Sequence, residues 1–185
     1  MQLYALCDQE LLDKRNLSLE DFVTIAKKHD AKVIQYRNKT SDVSFIKNQL
    51  ILLRQLFDGF LIINDSFELS HFCDGVHVGQ DDMANIDKDI KKAVKILREV
   101  IGKDKIIGLS THNKDEILQA NELDLNYVGL GAYRTTSTKD VDNILGDKLD
   151  EIASFSTHPV AAIGGVKLSD SFKHVTYHVI GSGLL

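Results

Sequence analysis

The sequence predicts an α/β fold of the (β/α)8 TIM-barrel type, on three observations. Eight short apolar runs are rich in Val and Ile, the intervals between them leave room for helices, and the runs end in polar residues. The runs lie at residues 3–7, 33–36, 60–63, 75–78, 106–109, 127–130, 160–163 and 178–180. Eight parallel strands close a barrel, whereas an open doubly wound sheet more often stops at about five or six.

The helices carry their own signals. Ser18 ahead of LEDFVTIAKKH reads as an N-cap with Glu20 and Asp21 in the first turn, VSFIKNQLILLRQLF has an apolar stripe at helical spacing, and residues 87–100 repeat that pattern. Strand seven is followed only by the polar segment 167–173, and the chain stops at GSGLL. The last helix is therefore expected to be missing or reduced, with one side of the wall open or covered by a second copy in a homo-oligomer.

The 185 residues, 43% of them hydrophobic, suit one domain spanning 1–185 with a sizeable core. A net charge of -5 without a Lys/Arg block argues against nucleic acid as a partner. No run approaches the roughly 20 apolar residues of a membrane span and the first residues form no signal pattern, so a cytoplasmic protein is expected. Cys7 and Cys73 are too few and too far apart for a disulfide framework or a zinc site and read as core residues. His29, His71, His158, His174 and His178 form no ligand spacing and read as structural or surface residues.

In a barrel of this type the chemistry gathers at the C-terminal ends of the strands. There the sequence places Gln35, Arg37 and Lys39; Asn64 and Asp65; His77, Gln80, Asp81 and Asp82; Ser110, Thr111 and His112; and Gly131 followed by Arg134, Thr135, Thr136, Ser137, Thr138 and Lys139. Strands seven and eight end in Gly164–Gly165 and Gly181–Ser182–Gly183. Glycines at these two positions let bare backbone N–H groups approach an oxyanion, and the hydroxyls and ammonium of TTSTK suit phosphate oxygens.

Asp65 and Asp82 follow neighbouring strands, so both carboxylates can share a hard divalent cation, with Mg²⁺ the natural choice beside Arg37 and Lys39. His77 reads as a packing or supporting residue. His112, on the loop after strand five, carries an imidazole suited to proton exchange.

With these motifs in order, the chain resembles the thiamine phosphate synthase and thiazole tautomerase superfamily over nearly its whole length. QYRNK at 35–39, IIND at 62–65, DGVHVGQDD at 74–82, GLSTH, GAYRTTSTK and AIGGV follow one another as in that family, although Ala132–Tyr133–Arg134–Thr135 stands where the family has a Pro-rich apolar approach. The resemblance implies that Gln35, Arg37, Lys39, Asn64, Ser110 and Lys139 bind a hydroxymethylpyrimidine diphosphate. It implies that Asp65 and Asp82 hold Mg²⁺ against it, and that Thr136, Ser137, Thr138, Gly165, Gly181 and Ser182 bind a thiazole phosphate, with Gly164 supporting the turn.

The implied reaction is a transfer in which the thiazole nitrogen displaces pyrophosphate from the pyrimidine methylene, with Arg37, Lys39 and Lys139 stabilising the leaving group. The related tautomerase reading would instead use His112 as acid and base on a carboxythiazole phosphate. A non-catalytic phosphate-ligand binding protein is the third reading. The motifs QYRNK and GQDD favour the synthase.

Overall fold

In the computed structural model, which describes residues 2–135 and 143–185, eight parallel strands close a barrel in sequence order. They are β1 (Gln2–Asp8), β2 (Val33–Arg37), β3 (Phe60–Asn64), β4 (Gly75–Val78), β5 (Ile106–Thr111), β6 (Tyr127–Leu130), β7 (Val160–Ala162) and β8 (Tyr177–Ile180). Closure is made by β8 pairing with β1, with Leu3 opposite His178 and Ala5 opposite Ile180.

The helices are α1 (Gln9–Arg15), α2 (Leu19–Lys28), α3 (Val43–Leu56), α4 (Gln80–Ile86), α5 (Ile90–Ile101), α6 (Lys114–Ala120) and α7 (Lys148–Ala153), with a 3₁₀ turn at Phe67–Phe72. The capping box expected at Ser18 is present: Asp21 N donates to Ser18 Oγ at 3.1 Å, and Ser18 N donates to Asp21 Oδ2 at 3.0 Å. Helix α5 begins at Ile90 rather than at 87, because Asp89 caps it by accepting from Lys91 N, and Asp87 in turn accepts from Asp89 N.

Period-two alternation divides each strand between two packing layers. Outward residues such as Ile34, Ile63, Val76, Ile107 and Val128 pack against the helices, and each fully buried aliphatic contributes about 1.5–3 kcal/mol. Inward residues Tyr4, Val33, Ile62, Tyr127, Ala161 and Val179 form a second cluster inside the barrel. Room for its aromatic rings comes from glycine: a Cβ on Gly108 would lie 2.1 Å from the Tyr127 ring, and one on Gly129 would lie 2.9 Å from the His77 ring. At the N-terminal mouth this layer leaves a cavity of about 160 Å³ beside Phe60, Ile106 and Tyr177.

Among the described residues no helix separates β7 from β8 or follows β8. The intervening segment covers part of that wall itself, for Phe172 packs edge-on against Tyr133 at 5.0 Å and against His178 at 5.1 Å. Cys7 and Cys73 are buried, and burial pushes both thiols up in pKa, as inert core residues require. Among the described residues no helix is long and apolar enough to cross a membrane.

Candidate active site

Two charged groups, Asp8 with Arg37 and Lys39 with Asp65 and Asp82, stand at the C-terminal ends of the first four strands. Arg37 is ion-paired with Asp8, the last residue of β1, whose side chain is almost fully buried. Asp8 also caps α1 by accepting from Leu11 N at 3.1 Å, so one carboxylate fixes a helix start and a guanidinium together. The sequence reading missed Asp8; its signal was a carboxylate directly after the first apolar run.

Lys39 Nζ lies 3.1 Å from Asp65 Oδ2. Asp65 follows β3 with φ at 62°, in the left-handed region that Asp tolerates better than most residues, and its N–H donates to His77 O. Asp82 is in the first turn of α4, and its Oδ2 accepts from Gly79 N at 2.8 Å. Burial pushes the Asp82 carboxyl up in pKa, the Gly79 N–H opposes this, and the adjoining charge of Asp65 raises it further.

Two carboxylates in mutual contact, one half-desolvated, repel until a cation sits between them. Lys39 supplies part of that charge. Among the described residues no group of three His, Cys, Asp or Glu side chains is placed to hold a metal ion. Mg²⁺ takes one or two carboxylates when phosphates and water complete its shell, so Asp65 and Asp82 are the residues that would hold such an ion.

Further round the barrel, Gln35 Nε2 donates to Asn64 Oδ1 at 2.7 Å, and Gln35 Oε1 accepts from Tyr4 Oη at 2.9 Å. Ser110 Oγ is 2.9 Å from His77 Nε2, while Ser110 O accepts from Gln80 Nε2. His77, read from sequence as a supporting residue, is therefore inside the barrel and in contact with a candidate binding residue.

His112 is on the loop from β5 to α6, with both its N–H and Nδ1 at 2.9 Å from Glu116 Oε2. That carboxylate orients the ring and favours a proton on Nδ1, which turns Nε2 into the acceptor.

The loops after β6 and β7 are laced together. Tyr133 N donates to Ile163 O and Arg134 N to Gly164 O, both at 2.9 Å, and the Arg134 guanidinium donates to Gly165 O at 3.0 Å. Gly164 and Gly165 take φ values of 80° and 65°, and a Cβ on Gly164 would lie 2.5 Å from Ala132 Cβ, so this turn demands glycine on two counts. Arg134 forks onto Asp170, which lowers the Asp170 carboxyl pKa and raises that of the guanidinium. Asp170 was not legible as a partner, because nothing periodic links positions 134 and 170.

Gly181 and Ser182 follow β8, which pairs with β7, the strand that leads into Gly164–Gly165. Thr136, Ser137, Thr138 and Lys139 lie outside the described residues.

Comparisons with known proteins give the family of the chain. Residues 3–181 match the family model described as thiamine monophosphate synthase. A thiamine-phosphate synthase of Persephonella marina is 33% identical over 172 residues, covering 90% of this chain and 77% of the relative. The thiamine-phosphate synthase of Lawsonia intracellularis is 36% identical, covering 89% of this chain and 74% of its own. The structure of a thiamine phosphate pyrophosphorylase from Pyrococcus furiosus superposes with a TM-score of 0.79 at 24% identity, over 98% of this chain and 85% of that one, and supports the barrel fold. The match across 3–181, together with relatives at this level of identity, establishes that the chain belongs to the thiamine monophosphate synthase family.

Proposed function

We propose that the chain is a thiamine phosphate synthase, joining hydroxymethylpyrimidine diphosphate to thiazole phosphate with release of pyrophosphate. The observation that carries this reading is Lys39 beside the Asp65 and Asp82 carboxylates, with the Asp8-anchored Arg37 at the end of the neighbouring strand β2. A reaction that expels pyrophosphate needs fixed positive charge where the leaving oxygens gain charge, and a low-dielectric site strengthens each such contact.

Arg37 is preset for this work by Asp8, which holds the guanidinium in place before substrate arrives. Lys39 and Lys139 are assigned to the diphosphate oxygens. Asp65 and Asp82 are assigned to Mg²⁺, which when bound would neutralise the diphosphate and stabilise the departing anion. Gln35, Asn64 and Ser110 are assigned to the pyrimidine. Thr136, Ser137, Thr138, Gly165, Gly181 and Ser182 are assigned to the thiazole phosphate, with Gly164 shaping the turn. The thiazole nitrogen supplies the electron pair for the new carbon–nitrogen bond, and the pair of the breaking carbon–oxygen bond leaves with pyrophosphate, so no protein nucleophile is required.

The His112–Glu116 contact supports a second reading, the thiazole tautomerase, in which an oriented imidazole moves a proton. Incubating both synthase substrates with the protein, with and without Mg²⁺, separates the two. Thiamine phosphate formed only with the metal supports the synthase, and absence of product in both arms overturns it.

A further inference from the structure

A continuous line of hydrogen bonds crosses the barrel interior from Asn64 to Ser110. It runs Asn64 Oδ1, Gln35 amide, Tyr4 Oη, Tyr127 Oη, His77 imidazole, Ser110 Oγ, with successive separations of 2.7, 2.9, 2.8, 2.9 and 2.9 Å. Tyr4, Gln35, His77 and Tyr127 are each no more than 7% exposed, so the line runs through the barrel interior.

Each hydroxyl in this line has one proton, and that fixes the sense of every bond. Tyr4 commits its proton to Gln35 Oε1, so Tyr127 must donate to Tyr4. Tyr127 must then accept from His77, which puts the imidazole proton on Nδ1. A neutral ring carrying Nδ1–H has an acceptor at Nε2, so Ser110 donates to it and keeps its oxygen lone pairs for the cleft. At the other end, Asn64 spends its carbonyl on Gln35 and keeps its NH₂ group for the cleft. Burial pushes both phenols above the usual tyrosine pKa, so each retains the proton the line requires.

We propose that Tyr4, Tyr127 and His77 are positioning residues that set the hydrogen-bond polarity of the site, making Asn64 a donor and Ser110 an acceptor toward the ligand. The chemistry recognised is a planar heterocycle with a ring-nitrogen acceptor beside an exocyclic amine donor. This rests on the assignment of Asn64 and Ser110 to the aminopyrimidine substrate. The two ends are coupled: reversing any bond in the line reverses what one end offers, so the unit discriminates against an oxo group in place of the amine.

The spectroscopic test is long-range ¹H–¹⁵N NMR of the imidazoles, with His77 assigned through its backbone connectivity. Wild type should carry the His77 proton on Nδ1, and Tyr127→Phe should shift it toward Nε2. A wild-type proton on Nε2 overturns the proposal whatever the enzyme's activity. Calorimetry with hydroxymethylpyrimidine diphosphate and with thiazole phosphate provides the second readout. Tyr127→Phe should weaken the pyrimidine ligand about tenfold, the net worth of one hydrogen bond, and leave the thiazole ligand within about twofold. Equal weakening of both ligands would make Tyr127 a packing residue and overturn the proposal. If wild type has Nδ1–H and binds the pyrimidine diphosphate yet makes no thiamine phosphate, the relay stands and the synthase reading falls.

Discussion

Arg134 grips Asp170 with two parallel bonds of 2.7 and 2.8 Å, tying the loop after β6 to the segment between β7 and β8. The same guanidinium rests on the Tyr133 ring, 4.1 Å from its centroid.

Breaking the clamp should loosen the Gly164–Gly165 turn more than it unfolds the barrel, since the guanidinium is 40% exposed and its pairing partly screened. Asp170→Asn is expected to raise KM for thiazole phosphate roughly two- to tenfold, with KM for the pyrimidine diphosphate unchanged. Steady-state kinetics with each substrate varied checks this, and a rise confined to the pyrimidine diphosphate would contradict it.

Asp82→Ala is expected to abolish the response to Mg²⁺ together with most turnover. Loss of one of two carboxylates should weaken the metal at least as far as the roughly 10–100-fold cost of losing a supporting group. Metal titration of both proteins measures it; full wild-type activity in EDTA would remove Asp65 and Asp82 from the metal role.

Lys139→Ala and His112→Ala separate charge stabilisation from proton transfer. For a synthase, loss of the Lys139 ammonium should cost roughly 1.5–3 kcal/mol, about ten- to a hundredfold in rate, and His112→Ala should cost less. For a tautomerase the order reverses, because a general acid–base contributes about 10²–10⁴-fold. Assaying thiamine phosphate formation and carboxythiazole aromatisation in both variants decides between them.

His178 gives stability a pH dependence of calculable sign. Its ring is buried behind Phe172, Nδ1 has no hydrogen-bond partner among the described residues, and burial pushes its pKa below the usual value near 6.5. The unfolded chain therefore takes up a proton before the native state does. Stability should fall as pH drops below about 6.5, by no more than about 1.4 kcal/mol per pH unit from this group. Urea midpoints between pH 7.5 and 5.5 should show the slope in wild type and a flatter one in His178→Leu.

The barrel was legible because strands buried on both faces are written as plain apolar runs, and all eight begin within a residue of where those runs do. Asn64, Asp65 and Ser110 stood out as candidates because they stand where those runs stop. What escaped was every contact made across the sequence. Tyr4 and Tyr127 lie inside apolar runs and read as packing, and only closure sets their hydroxyls 2.8 Å apart. Helix α1 was hidden because Asp8 ends a strand and caps a helix at once, leaving no loop between them.

The missing side chains at Gly108 and Gly129 bind the history of this interior to its rings. Tyr127 and His77 occupy the volume that a methyl group at either glycine would claim. An alanine at 108 has no access to the fold unless residue 127 shrinks or turns away in the same step, and an alanine at 129 requires the ring at residue 77 to shift. Such sites should covary in descent, with double replacements tolerated where single ones fail. Libraries that vary one position at a time would therefore find this part of the barrel frozen, though its alternatives lie only two changes away.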